Sequence, residues 1–188
     1  RIGFRQDLGY VTEERYLYPF LSGREYLELV GRLREIPEGL LALKIDGFLG
    51  LFGLTAAADQ SISSYSKGMR QKIVISSALL HDPSVVLFDE PESGLDVTTT
   101  LVLRHLVRML AARGKAIVYS SHILEVVERV CSRVIVLHRG SVVADDSVEH
   151  LQTVLSRTSL EGVFSELVIR EDPERMARDL ADVAALGA

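Results

Sequence analysis

Cysteine is nearly missing from this sequence: Cys131 stands alone among 188 residues, so no internal disulfide can staple the fold, and a reducing compartment suits the chain. Long apolar runs are missing too. The best window, residues 48–58, is about half the roughly 20 residues that a membrane-spanning helix needs. No stretch reads as a secretory signal, an internal repeat or a low-complexity segment. Surplus positive charge is absent as well: 21 Lys and Arg against 26 Asp and Glu leave a net charge of −5, which argues against a chain that coats nucleic acid or anionic lipid. What is left is an ordinary globular composition, 47% apolar and 25% charged, long enough for one domain with a sizeable core. The expectation is a soluble, cytoplasmic protein in which Cys131, closing an apolar-periodic stretch, is a buried structural thiol.

The hydrophobic pattern changes period along the chain. Gly9-Tyr10-Val11-Thr12 reads as a short extended piece that turns at Glu13 and Glu14. Ser22 with Glu25 forms a capping box ahead of Tyr26, Leu27, Leu29, Val30 and Leu33, which predicts a helix closed by Pro37 and Gly39. A second apolar helix is expected over residues 40–54. Val85-Val86-Leu87-Phe88 and the runs 116–119 and 134–137 are continuous apolar segments, as in strands buried on both faces of a parallel sheet. Helical patterns at 101–112 and 123–130 lie between them, so the grammar is that of right-handed crossover units and an α/β core. Arg139-Gly140-Ser141 predicts a turn into a short edge strand, and Thr158 with Glu161 another cap. Asp172-Pro173 opens a terminal helix whose Met176, Leu180 and Val183 make one apolar stripe, an accessory docking element.

Two segments carry chemistry. Ligands of α/β sheets bind beyond the carboxyl ends of the strands, and the strand at 85–88 ends in Asp89-Glu90-Pro91. Neighbouring side chains on an extended chain point apart, so the two acids can act separately. Asp89 would steady a magnesium ion and Glu90 would polarise a water attacking a γ-phosphate. The plain alternative is a strand that ends in a solvated acidic turn. In Ser66-Lys67-Gly68-Met69-Arg70-Gln71, a serine caps a helix whose first turn holds a glycine. That arrangement offers backbone N–H groups to a phosphate, with Lys67 as a cationic donor; an ordinary capped helix is the alternative.

Order turns these fragments into a resemblance. Ser66-Lys67-Gly68-Met69-Arg70-Gln71, then Leu87-Phe88-Asp89-Glu90-Pro91, then Ser93-Gly94-Leu95-Asp96, then Ser121-His122 looks like the signature, Walker B, D-loop and H-loop series of the ATP-binding cassette (ABC) ATPases. The likeness runs from Tyr10 to about residue 150 and more weakly through the tail, where Thr158 to Phe164 is similar to the closing segment of bacterial exporter-type members. It implies a P-loop NTPase-like α/β core over residues 1–150, with a helical subdomain at about 15–80 and accessory helices at 151–188. It also implies ATP and Mg2+ as cofactors, a second nucleotide-binding domain docked head to tail, and an integral membrane permease that holds the chain on the inner face of the cell membrane. No nucleic-acid partner is implied.

The resemblance assigns roles residue by residue. Ser66, Lys67 and Gly68 would meet the γ-phosphate held by the opposite subunit; Asp96 would organise the dimer seam; Glu90 and His122 would carry catalysis, His122 donating to the γ-phosphate. Glu13 falls at the Q-loop position, where relatives usually carry Gln, and with Asp89 would contact magnesium. Tyr16, Leu17, Tyr18, Pro19 and Phe20 either pack under the helices or form a groove for a permease helix. Two departures stand out: Lys67 replaces the commoner glycine, and no Gly-x-x-x-x-Gly-Lys-[Ser/Thr] loop occurs anywhere. In the family that loop precedes the position of Tyr10, so a chain lacking its N-terminal segments, and inactive alone, is the economical expectation. Rival readings are a soluble ABC ATPase of ribosomes or DNA, and a non-catalytic module that lends its signature face to a partner.

Overall fold

The computed structural model describes residues 7–13, 16–154, 159–168 and 173–184. The chain divides into two compact units, residues 1–122 and 123–188.

The first unit is built on three parallel strands in the order β1 (Leu8–Val11), β2 (Val85–Asp89) and β3 (Ala116–Ser120). Their register pairs Val11 with Phe88 and Asp89 with Ser120, so all three strands finish at one edge. Alternation along β2 buries Val86 and Phe88 almost completely, each such side chain contributing about 2 kcal/mol relative to exposure. The expected burial of the third-quarter runs on both faces is not met. β3 alternates half-buried and exposed positions, with Val118 58% exposed, the pattern of a strand covered on one face only.

Between β1 and β2 the chain makes a helical subdomain. The capping box forms as the sequence requires: Ser22 Oγ accepts from the Glu25 N–H (3.1 Å) and the Glu25 carboxylate accepts from the Ser22 N–H (2.8 Å). It starts α1 (Gly23–Leu33). Pro37 then caps α2 (Glu38–Leu51), which takes in Gly39 and ends three residues before the expected Leu54. With α3 (Lys67–Leu79) these helices enclose Leu27, Leu41, Ile45, Leu49, Ile62, Tyr65 and Ile73. The one polar tip in that cluster is satisfied, since the Tyr65 hydroxyl donates to the Ala57 carbonyl at 2.6 Å. Lys44 Nζ donates to the carbonyl of Leu80 and Arg34 to that of Leu8, which ties the subdomain to the sheet. The helix α4 (Val97–Ala112) crosses from β2 to β3 as the pattern predicts.

In the second unit, α5 (Leu124–Val130) leads into β4 (Arg133–His138) and β5 (Ser141–Ser147). Here the sequence reading needs correction. The run at 134–137 does not extend the parallel sheet; β4 pairs antiparallel with β5. The reason is the two-residue link: Arg139 (φ 50) and Gly140 (φ 78) are both left-handed, the conformation of a tight hairpin. Then α6 (Val148–Val154) and α7 (Leu160–Val168) pack on α5 around Val127, Val148, Leu160 and Val163. Thr158 lies outside the described residues; Ser159 caps α7, its Oγ accepting from Gly162 N–H at 3.3 Å. Cys131 is half-buried against this cluster rather than fully buried, and burial pushes its thiol up. The last helix, α8 (Pro173–Ala184), leaves Met176, Leu180 and Val183 exposed in the stripe its sequence predicts.

The contact of α3 with β1 depends on Gly9, where a Cβ would sit 2.4 Å from the Ala78 carbonyl oxygen and 2.8 Å from Pro83. Gly9→Ala is therefore expected to destabilise the chain by about 1–3 kcal/mol. Urea unfolding measures it, and an unchanged midpoint would mean that α3 moves away freely.

Candidate functional site

Three strand ends deliver the chemistry. Past β1 comes Glu13, exposed; β2 ends on Asp89 with Glu90 following; β3 ends on Ser120 with Ser121 and His122 following. The Ser120 hydroxyl donates to Asp89 Oδ1 at 2.6 Å. Glu90 accepts twice on one oxygen, from the backbone N–H of His122 (2.7 Å) and from its ring Nδ1 (2.8 Å). The glutamate is largely covered, its side chain 19% exposed, while the imidazole is 80% exposed. With Nδ1 turned to the carboxylate, Nε2 faces outward as a lone pair when the ring is neutral and as an N–H when it is cationic.

The divergence of the two acids has a different cause from the one the sequence implies. Glu90 is no longer strand: its φ is 44, a left-handed value uncommon for a residue with a Cβ. Its N–H donates to the Ser120 carbonyl (3.2 Å) and its carbonyl accepts from Ser93 N–H (3.1 Å). Strand register sets Asp89 beside Ser120, and the turn at Glu90 sends the second carboxylate toward His122 instead.

The signature segment lies on the same compact unit. Ser66 caps α3, its Oγ accepting from Met69 N–H at 3.2 Å, and it is exposed, as is Lys67. Gly68 serves a need inside the chain, since a Cβ there would meet the Gly94 carbonyl oxygen at 2.7 Å. A Cβ on Gly94 (φ 80) would in turn meet the stem of Lys67 at 2.7 Å. The glycine in the first turn of α3 therefore admits the D-loop backbone. Further along α3, the buried Gln71 donates to the Pro91 carbonyl (3.0 Å), and Lys72 lies 3.6 Å from Asp96. Asp96 caps α4 through both the N–H and the hydroxyl of Thr99. Those two bonds, with Lys72 nearby, hold its carboxyl down to about 2.

Asp89, Glu90, Ser120 and His122 are thus brought together, while Lys67 and Gly68 meet Gly94 and Ser66 stays exposed at the start of α3. The motif that contains Gln71 gave that residue no role of its own, and no pattern singled out Glu92, whose carboxylate takes both arms of Arg104 and the Tyr119 hydroxyl. Nothing in the string links residues 92, 104 and 119; only folding does. Elsewhere on this unit His81 is half-buried with Nε2 3.1 Å from the Leu8 carbonyl, and burial holds its pKa down. Tyr16, Tyr18 and Phe20 are exposed, with the Tyr18 ring tilted against those of Phe20 and Tyr26, whereas Leu17 packs on the helical core.

A family model described as "AAA domain, putative AbiEii toxin, Type IV TA system" matches residues 4–128, which include every residue just placed. An ABC transporter ATP-binding protein of Nostoc sp. is 40% identical over 149 residues, 78% of this chain and 44% of that protein. The ABC transporter ATP-binding protein NatA of Bacillus subtilis is 34% identical over 157 residues, 84% of this chain and 64% of NatA. The chain thus spans about half to two thirds of the length of these relatives. A solved structure, that of an ATP-binding subunit of an ABC transporter, superposes with a TM-score of 0.82 at 30% identity, covering 88% of this chain and 70% of the other. With a shared fold, this level of identity and an AAA-type domain match over residues 4–128, the chain belongs to the family of ABC transporter ATP-binding proteins.

Proposed function

We propose that this chain works in ATP hydrolysis that powers a membrane permease, of the bacterial exporter type. It would supply a catalytic edge to one nucleotide and a signature helix to another. The observation that carries this reading is the meeting of Asp89, Glu90 and His122 at one sheet edge, on the same unit as the exposed Ser66 at the start of α3.

The donor set suits magnesium that arrives with phosphates. Among the described residues no three His, Cys, Asp or Glu side chains are grouped to cage an ion. Asp89 ends β2 and Glu13 follows the neighbouring β1, and one or two carboxylates beside phosphate oxygens and water are what such an ion takes. When bound, MgATP supplies the phosphoryl group and the charge to be neutralised. Glu90 would accept hydrogen bonds from, and so orient, the attacking water, and His122 would present Nε2 to the phosphate side. Ser66 and the first N–H groups of α3 would face the nucleotide of a second copy, docked head to tail, with Asp96 and Gly94 at the seam. The exposed Tyr16, Tyr18 and Phe20 offer an apolar surface for a helix of the permease, which would hold the chain at the inner face of the membrane.

Three outcomes are expected. These 188 residues contain no P-loop motif, so calorimetry should detect only weak MgATP binding; a micromolar dissociation constant would overturn that. In the assembled, P-loop-bearing ATPase, Glu90→Gln should retain ATP binding and lose turnover by about a hundredfold or more, whereas near-normal turnover removes Glu90 from the chemistry. In reconstituted transporter, alanine at Tyr18 and Phe20 should abolish transport and spare basal hydrolysis. Equal loss of folding and hydrolysis would mean that the two rings serve packing.

A further inference from the structure

Glu92 sits two residues beyond the proposed catalytic acid, in a stretch where a solvated side chain would satisfy the local turn. Instead its carboxylate is only 12% exposed. It accepts from Arg104 Nε and Nη2, both at 2.8 Å, and from the Tyr119 hydroxyl at 2.9 Å. A covered carboxylate needs such partners, and a two-armed guanidinium is the most directional one available. Arg104 comes from the middle of α4 and Tyr119 from β3, so Glu92 joins the loop to both elements that flank it. The Tyr119 ring in turn lies 6.1 Å from that of the buried Phe88 on β2.

The loop that Glu92 anchors is the strained one. Glu90 holds a left-handed φ of 44, and three bonds fix the loop that follows it: Ser93 N–H to the Glu90 carbonyl, Leu95 N–H to the Glu92 carbonyl, and Gln71 Nε2 to the Pro91 carbonyl. A left-handed non-glycine residue persists when its surroundings over-determine it. We propose that Glu92, clasped by Arg104 and Tyr119, is a positioning residue that holds Glu90 in this turn and so keeps its carboxylate on His122. The proposal deepens the catalytic reading of Glu90 and rests on it for its functional meaning, though the clasp itself is testable without nucleotide.

The test reads the His122 backbone amide by NMR in the full chain, because that N–H donates to Glu90 Oε1. Glu92→Ala should move the His122 amide proton upfield and speed its exchange with solvent by about tenfold, with the Leu27 amide of the helical core unchanged. Tyr119→Phe keeps the ring on Phe88 and removes only the hydroxyl; it should fold and move His122 in the same direction by less. Glu92→Gln, which retains an acceptor, should restore most of the wild-type shift. In the assembled ATPase, Glu92→Ala should lower kcat by about tenfold and leave KM for MgATP unaltered. An unmoved His122 amide in Tyr119→Phe and in folded Glu92 variants, with only the thermal midpoint lowered, overturns the clasp. A moved amide alongside normal turnover of Glu90→Gln supports the clasp and rejects the catalytic role instead.

Discussion

Parallel pairing of β2 with its two neighbours, in one register, is the constraint on which the rest of the first unit hangs. Because Val11 faces Phe88 and Asp89 faces Ser120, three chain segments far apart in sequence leave the sheet at the same level. Each departing segment brings polar groups that the sheet itself no longer satisfies. Ser120 answers Asp89, and His122 answers Glu90. A register slip of one residue would turn Val86 and Phe88 out of the core and carry Asp89 away from Ser120. Core packing and site geometry therefore stand or fall together.

Around that edge the chain forms a second, less obvious system in which α3 is fastened to the loop after β2. Gly68 lies under the Gly94 carbonyl, Gln71 reaches the Pro91 carbonyl, and Lys72 approaches Asp96. Gln71 is fully buried, so its bond to the Pro91 carbonyl is electrostatically stronger than it would be in water, while its Oε1 finds no partner among the described residues. The helix that opens with the signature serine is thus held directly to the loop that carries the acids. Motion of one without the other would break a buried hydrogen bond and separate two backbones that touch with no Cβ between them.

Much of this was legible in the string, and for local reasons. The Ser22–Glu25 box, the Ser66 cap and the Arg139-Gly140 turn are interactions within four residues, where composition alone specifies geometry. The runs at 85–88 and 116–119 likewise became strands where expected. The run at 134–137 misled because an apolar strand says nothing of its partner; a two-residue left-handed turn gave it an antiparallel one. The full burial expected of Cys131 failed on the same ground, since burial depends on what packs above.

Sequence alone determined which residue types stand at the strand ends and helix starts: Asp89 and Glu90 after an apolar run, Ser66 before a glycine, His122 after two serines. Those choices need only nearest neighbours along the chain, as do the caps and turns that frame them. Tertiary structure alone decided that Glu90 adopts a left-handed turn, that Gly68 makes room for Gly94, and that Glu92 is gripped by Arg104 and Tyr119. Each of these joins residues from different elements, and such pairings exist only once the sheet has set the distances between them.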